Sequence, residues 1–157
     1  MREARPNAVV VALAAYAALA FAVLGITPLW LDELQQLVLG RESLATLMRW
    51  VQLNPGASPL PYLVQRAFVD LFGTSTFVAR LPAALCSIAG AAVFAALCGR
   101  FGIRSRVWAV VVFLALPLQF RYALEARGYS LGLLCTLASW LLLLRVLERG
   151  SVPAAAW

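Results

Sequence analysis

Leu81-Pro-Ala-Ala-Leu-Cys-Ser-Ile-Ala-Gly-Ala-Ala-Val-Phe-Ala-Ala-Leu-Cys-Gly99, bounded by Arg80 and Arg100, is 19 residues without a charge. A run of about 20 apolar residues is what an α-helix needs to cross a bilayer, because every backbone polar group must be satisfied within the segment. Working outward, three more runs share this character. Ala8–Ile26 lies in a stretch with no charge from Pro6 to Leu31. Val107–Phe120, between Arg106 and Arg121, has 14 residues, which as a helix cover only ~21 Å. Snorkelling of the flanking arginines extends it, and Pro117 bends or ends it. Gly128–Leu144 ends at Arg145. The expected fold is all-α: a multi-pass transmembrane bundle of about four helices, at 8–26, 81–99, 107–120 and 128–144.

The composition agrees. Of 157 residues, 63% are hydrophobic and 13% charged, against roughly 45–50% and about 25% in soluble domains. This excludes a disordered chain and argues against a soluble globular one. The net charge of +6 comes from 13 basic and 7 acidic residues, the basic ones all arginine. They are spread singly along an apolar chain, so membrane topology explains them better than nucleic acid does. With a cytoplasmic N-terminus, the inner segments 1–7, 100–106 and 145–157 carry 7 Arg in 27 residues; the outer segments 32–80 and 121–127 carry 6 in 56. That asymmetry favours this orientation. The N-terminal run is too long for a signal peptide and reads as an uncleaved anchor. With no His in the chain, the commonest general base and metal ligand is missing. Cys86, Cys98 and Cys135 lie in apolar runs without metal or disulfide spacing and read as packing residues.

The outer loop 32–80 is patterned. Leu34, Leu37 and Val38, then Leu44, Leu47, Met48 and Val51, recur at helical spacing on either side of Gly40. Leu60, Leu63, Val64, Ala67, Phe68, Leu71 and Phe72 form a second stripe, with Arg66 and Asp70 paired on the opposite face. Two amphipathic juxtamembrane helices joined by Asn54-Pro-Gly-Ala-Ser-Pro59 are expected, the second stopped by Gly73 and the next segment capped within Thr74–Thr76.

The few acids carry the chemistry. Asp32 and Glu33 follow Trp30 at the outer end of the first run. One reading makes Asp32 the cap of a helix beginning at Glu33, both acids favouring its dipole. The other makes one of them a general base, its pKa raised by desolvation. The second cluster is Gln119-Phe-Arg121-Tyr-Ala-Leu-Glu125-Ala-Arg127-Gly-Tyr129. Either Glu125 is simply neutralised by Arg121 and Arg127, or the arginines bind phosphate, which guanidinium groups do bidentately. Both clusters emerge on the same face. A carboxylate base beside a phosphate-binding arginine pair suits transfer of a group from a lipid phosphate.

Leu29-Trp-Leu-Asp32-Glu33, Ser58-Pro-Leu-Pro-Tyr62, Leu71-Phe-Gly73, Ala79-Arg-Leu-Pro82, Gly99-Arg-Phe-Gly102 and Pro117 through Glu125-Ala-Arg-Gly-Tyr129 occur in order along nearly the whole chain. This ordered set resembles the membrane glycosyltransferases of the C-type fold: protein O-mannosyltransferases, the aminoarabinose transferase of lipid A and the RgtA/B/C/D-like domain. The resemblance implies sugar transfer, metal-assisted or metal-independent, from a polyprenyl-phosphate donor to an acceptor lipid, glycan or protein. The site would face the periplasmic or extracellular side of the plasma membrane. It implies catalytic roles for Asp32, as base, and its partner Glu33, with Arg121, Glu125, Arg127 and Tyr129 on the donor-phosphate side. Many relatives carry a His before their paired prolines; Ala57-Ser58 stand there in this chain, which puts a His-dependent divalent metal site in doubt. Relatives also have more spans. Ser151-Val-Pro-Ala-Ala-Ala-Trp157 reads as the start of another helix, so 1–157 is expected to be the N-terminal part of a longer enzyme and inactive alone. The alternatives are a non-catalytic multi-pass protein or a transporter fragment.

Overall fold

The computed structural model describes residues 6–148. The expected helix start at Ser151 lies outside them. Among the described residues there are eight helices and no strand: α1 (Pro6–Val23), α2 (Leu31–Arg41), α3 (Leu44–Leu53), α4 (Pro59–Phe72), α5 (Thr76–Arg100), α6 (Arg106–Ala115), α7 (Pro117–Ala123) and α8 (Tyr129–Glu148). The chain is an all-helical membrane bundle, as its composition requires.

The helix α5 is the central post. It packs most extensively on α8 and also touches α1, α4, α6 and α7. Its buried face is made of small residues, Ala83, Ala84, Ser87, Gly90, Ala91 and Ala95, which let helix backbones approach closely in a membrane. A Cβ at Gly90 would already lie 3.8 Å from the Leu134 Cα of α8. The core joins Val9 and Tyr16 of α1 to Ala91 and Ala95 of α5, Val110 and Leu114 of α6, and Ala123 of α7. The Phe94 and Phe113 rings stack at 4.3 Å. Polar groups inside this core are paired: the Tyr16 hydroxyl lies 2.7 Å from Ser87 Oγ, and Gln119 Nε2 donates to the same oxygen at 2.9 Å. An unpaired polar group in a bilayer would cost several kcal/mol.

By length and apolarity α5 and α8 can each cross a membrane; α6 with α7, bent by 63°, passes the same test as a pair, as a broken third span or a re-entrant loop. The bend falls at Leu116–Pro117, where the proline cannot donate to the preceding turn. The first run departs from expectation. Its helix ends at Val23, not Ile26, and its described apolar part, Ala8–Val23, is shorter than the other spans. The reason is tertiary: the carbonyls of Leu24 and Thr27 turn aside to accept from Arg80 Nη1 at 3.2 and 3.0 Å.

The outer loop also differs. Three helices fill it rather than two. The break falls at Glu42–Ser43, where Ser43 Oγ accepts from the Thr46 N–H at 3.1 Å and starts α3. Gly40 sits inside α2, where a Cβ would lie 3.2 Å from the Tyr62 carbonyl oxygen; it is the point where α2 and α4 press together. The second stripe is α4 as expected. It opens with Pro59 in its first turn and ends at Gly73, φ 93°, a backbone region that favours glycine. Ser75 Oγ then caps α5 by accepting from the Val78 N–H at 3.3 Å. Arg66 and Asp70 pair at 3.6 Å. At the opposite end of the bundle, Arg100 and Glu148 form an ion pair between the last turns of α5 and α8.

Candidate active site at the α2–α5–α8 end

The two clusters read from the sequence meet. Glu33 is wholly buried, at 0% exposure. Arg80 grips it bidentately, Nε on Oε1 and Nη2 on Oε2, both at 2.8 Å. The backbone N–H of Ala126 donates to Oε1 at 2.6 Å and that of Trp30 to Oε2 at 3.2 Å. Four donors saturate the carboxylate. Burial pushes the Glu33 carboxyl up, but Arg80 and the two N–H groups more than offset it and hold it below the ordinary glutamate range. The other guanidinium bonds of Arg80 reach Leu24, Thr27 and Pro28. One buried pair thus ties together the exit of α1, the first turn of α2, the first turns of α5 and the turn before α8.

Asp32 is one residue away and differently placed. Trp30, not Asp32, occupies the cap position of α2, and the cap N–H is taken by Glu33. The Asp32 side chain is 40% exposed and pairs with Arg127 Nη1, 95 residues on. Arg127 also donates to the Tyr129 hydroxyl at 3.2 Å, its guanidinium carbon 5.3 Å from that ring's centre. Glu125 is paired by Arg121 at 2.7 Å, not by both arginines. The six predicted residues therefore split: Asp32, Arg127 and Tyr129 form one accessible group, Glu33 sits behind it, and Arg121–Glu125 stand beside it as a separate pair.

Arg127 and Tyr129 border a cavity of about 450 Å³ between the α3–α4 turn and the turn before α8, lined among others by Trp50, Asn54, Ser58 and Tyr62. The Trp50 and Tyr62 rings meet edge to face at 5.6 Å. Burial pushes the Tyr62 hydroxyl up, and nearby Arg127 pulls it partly back. Pro61 packs so closely on Gly128 that a Cβ there would lie 2.6 Å from the proline Cγ. Ser58-Pro-Leu-Pro-Tyr62 and Arg127-Gly-Tyr129, far apart in sequence, are two walls of one cavity.

Arg80 stood in the sequence reading as a span boundary and within Ala79-Arg-Leu-Pro82, with no role of its own. Its signal was an arginine in register with a helix otherwise built of small and apolar residues. Trp50 was passed over between Met48 and Val51, and Tyr62 stood only within Ser58-Pro-Leu-Pro-Tyr62. Among the described residues no group of three or more His, Cys, Asp or Glu could hold a metal ion; the Asp32 and Glu33 carboxylates face guanidinium groups instead.

No curated protein and no solved structure matches the chain. Residues 55–157, well over half of it, match the family model of the dolichyl-phosphate-mannose-protein mannosyltransferases. The matched segment holds Arg80, Glu125, Arg127 and Tyr129; Asp32 and Glu33 precede it. The chain belongs to the dolichyl-phosphate-mannose-protein mannosyltransferase family, membrane glycosyltransferases of the mannosyltransferase kind.

Proposed function

We propose that the chain carries the acid motif and donor-phosphate side of an enzyme that transfers a sugar from a polyprenyl-phosphate donor to an acceptor hydroxyl or amine. The acceptor is a lipid, glycan or protein at the outer face of the plasma membrane. The observation that carries this reading is the Asp32–Arg127 contact, which sets a partly exposed carboxylate against a guanidinium group that lines the cavity between the α3–α4 turn and the turn before α8.

In this reaction Asp32 takes the proton of the acceptor, the acceptor oxygen or nitrogen forms a bond to the sugar's anomeric carbon, and the carbon–oxygen bond to phosphate breaks. The electron pair leaves with the polyprenyl phosphate, whose charge Arg127 receives. The reacting carbon must lie between the base's acceptor and the leaving phosphate, at roughly 3–3.5 Å from the attacking atom. Asp32 and Arg127 cannot hold one another and perform both tasks, so the ion pair opens when the donor phosphate claims Arg127. Glu33 and Arg80 fix the backbone from which Asp32 and Arg127 project. The higher arginine density of segments 1–7, 100–106 and 145–157 supports a cytoplasmic N-terminus and an outward-facing site.

The test is Asp32→Asn in the full-length protein. Transfer should fall by about 10²–10⁴-fold while membrane insertion and thermal midpoint stay at wild-type values. Retained transfer removes Asp32 as the base.

A further inference from the structure

Gly99-Arg-Phe-Gly102 has no part in the candidate site or the proposed reaction. It turns the chain from α5 towards α6 at the opposite end of the bundle. The turn is well fixed. The Gly102 N–H donates to the Gly99 carbonyl at 3.2 Å and the Ile103 N–H to the Cys98 carbonyl at 3.0 Å, a Schellman closure of α5. Gly102 takes φ 64° to make it, a region that favours glycine. The turn displays large apolar side chains: Phe101 is 62% exposed, Ile103 42%, and Trp108, in the first turn of α6, 70%. Arg104 is exposed among them. Four arginines mark this end, Arg100, Arg104, Arg106 and Arg145, against one acid among the described residues, Glu148. Two of the four are engaged in the fold. Arg100 pairs with Glu148. Arg106 lies over the last turn of α5, where a Cβ at Gly99 would come 3.3 Å from its Nη1, and offsets the negative end of that helix. Arg104 and Arg145 pair with no acid among the described residues.

An unpaired arginine beside exposed Phe and Ile suits neither bulk water, which disfavours the apolar groups, nor hydrocarbon, which disfavours the charge. It suits the boundary between them, with the apolar side chains among the acyl chains and the guanidinium among the headgroups. Tryptophan settles at the same level, and guanidinium groups grip phosphate oxygens bidentately. We infer that the α5–α6 turn is a docking surface for an anionic glycerophospholipid. Arg104 holds the phosphodiester, and Phe101 and Ile103 lie against the upper acyl chain. The excess of positive charge at this end selects an anionic headgroup over a zwitterionic one. The docked lipid sets the depth of α5. Arg80 and Arg100 are 20 residues apart on that helix, a rise of ~30 Å, about the thickness of a bilayer's hydrocarbon core. Holding one end of α5 at the headgroups therefore holds Arg80, and with it Glu33, at the other interface.

The test titrates the full-length protein in detergent with phosphatidylglycerol and with phosphatidylcholine, and reads bound lipid by native mass spectrometry. The wild type should prefer phosphatidylglycerol by more than about fivefold, and Arg104→Gln should shrink that preference about fivefold, the attraction of one arginine near a charged surface. Phe101→Ser should weaken both lipids alike, roughly two- to tenfold, and keep the preference, because the acyl contact does not read the headgroup. Arg49→Gln removes an exposed arginine of α3, at the other end, and should keep both affinities. Arg104 and Phe101 are exposed, so thermal midpoints should stay at the wild-type value and show that the variants are folded. Equal wild-type affinities for the two lipids, an unchanged preference in Arg104→Gln, or an equal loss of preference in Arg49→Gln overturns the docking surface. Displacement of bound phosphatidylglycerol by inorganic phosphate also overturns it, since the site would then take the free anion. No donor and no turnover enter the experiment, so neither loss nor retention of transfer in Asp32→Asn bears on these outcomes.

Discussion

Asp32 and Glu33 are neighbours in the chain, yet their carboxylates have different surroundings. Glu33 is fully buried and held by four donors, two from Arg80 and two from the backbone. Asp32 is partly exposed and held by Arg127. A helix turns about 100° per residue, so adjacent side chains point to different faces. Here one face of α2 looks into the bundle and the next looks along its outer edge. A saturated, buried carboxylate can anchor structure but has no free lone pair for a substrate proton. A partly exposed one with a displaceable partner can do chemistry. The Glu33–Arg80 pair therefore has the surroundings of scaffold, and the Asp32–Arg127 pair, the working edge of the proposed reaction, has those of a site.

Removing Arg80 is the sharpest way to break that distinction. Arg80→Ala leaves Glu33 charged and buried without its partner, and should cost about 3–5 kcal/mol of stability, read as a large fall in thermal midpoint in detergent. Arg127→Ala, at the working edge, should cost no more than about 1 kcal/mol. Similar losses for the two would erase the contrast.

Acid sharpens it next. The Glu33 carboxyl is held below its ordinary value in the folded state. Its stabilisation is therefore complete above the unfolded glutamate pKa of about 4.3 and lost as pH falls through the lower folded value. The wild type should lose stability in that acid window, and Glu33→Gln should lack this component. An identical pH–stability slope in Glu33→Gln would mean that the buried pair is not ionised as described.

Gly128→Ala tests whether the working edge is braced by packing. The added Cβ would lie 2.6 Å from Pro61, and such overpacking costs about 1–3 kcal/mol. The expected result is a lowered midpoint together with weaker donor binding, since the turn carrying Arg127 must move. The smallest effect belongs to Asp32→Asn in a binding assay. Freed from its partner, Arg127 should bind undecaprenyl phosphate up to about fivefold more tightly, the scale of a partly exposed ion pair. An unchanged affinity would show that Arg127 is not held back by Asp32.

How much of this was legible depends on the range of the interaction concerned. The bend at Pro117, the stop at Gly73, the caps before α5 and the Arg66–Asp70 pair are local, set by one residue's φ, missing N–H or helical neighbours, and the sequence displays them. The break at Glu42–Ser43 was missed because the apolar spacing runs on through it, from Leu34 to Val51. The end of α1 was misplaced because Leu24 and Thr27 give their carbonyls to Arg80, more than 50 residues away. Counting spans put the two acidic clusters on one side, and in the fold they meet. That Asp32 meets Arg127 while Glu33 meets Arg80 did not follow, because spacing along the chain does not say which arginine reaches which acid.

The sequence by itself determined a helical membrane bundle, its apolar segments, its family resemblance and the short set of residues able to do chemistry. Hydropathy, proline and glycine act over one or two turns and need no partner to be read. Only the tertiary structure decided that adjacent acids have opposite fates, that the Glu33–Arg80 pair joins four segments, and that Ser58-Pro-Leu-Pro-Tyr62 and Arg127-Gly-Tyr129 wall one cavity. Those outcomes are set by burial and by donors that arrive from distant helices, and they exist only once the small-residue face of α5 has drawn those helices together.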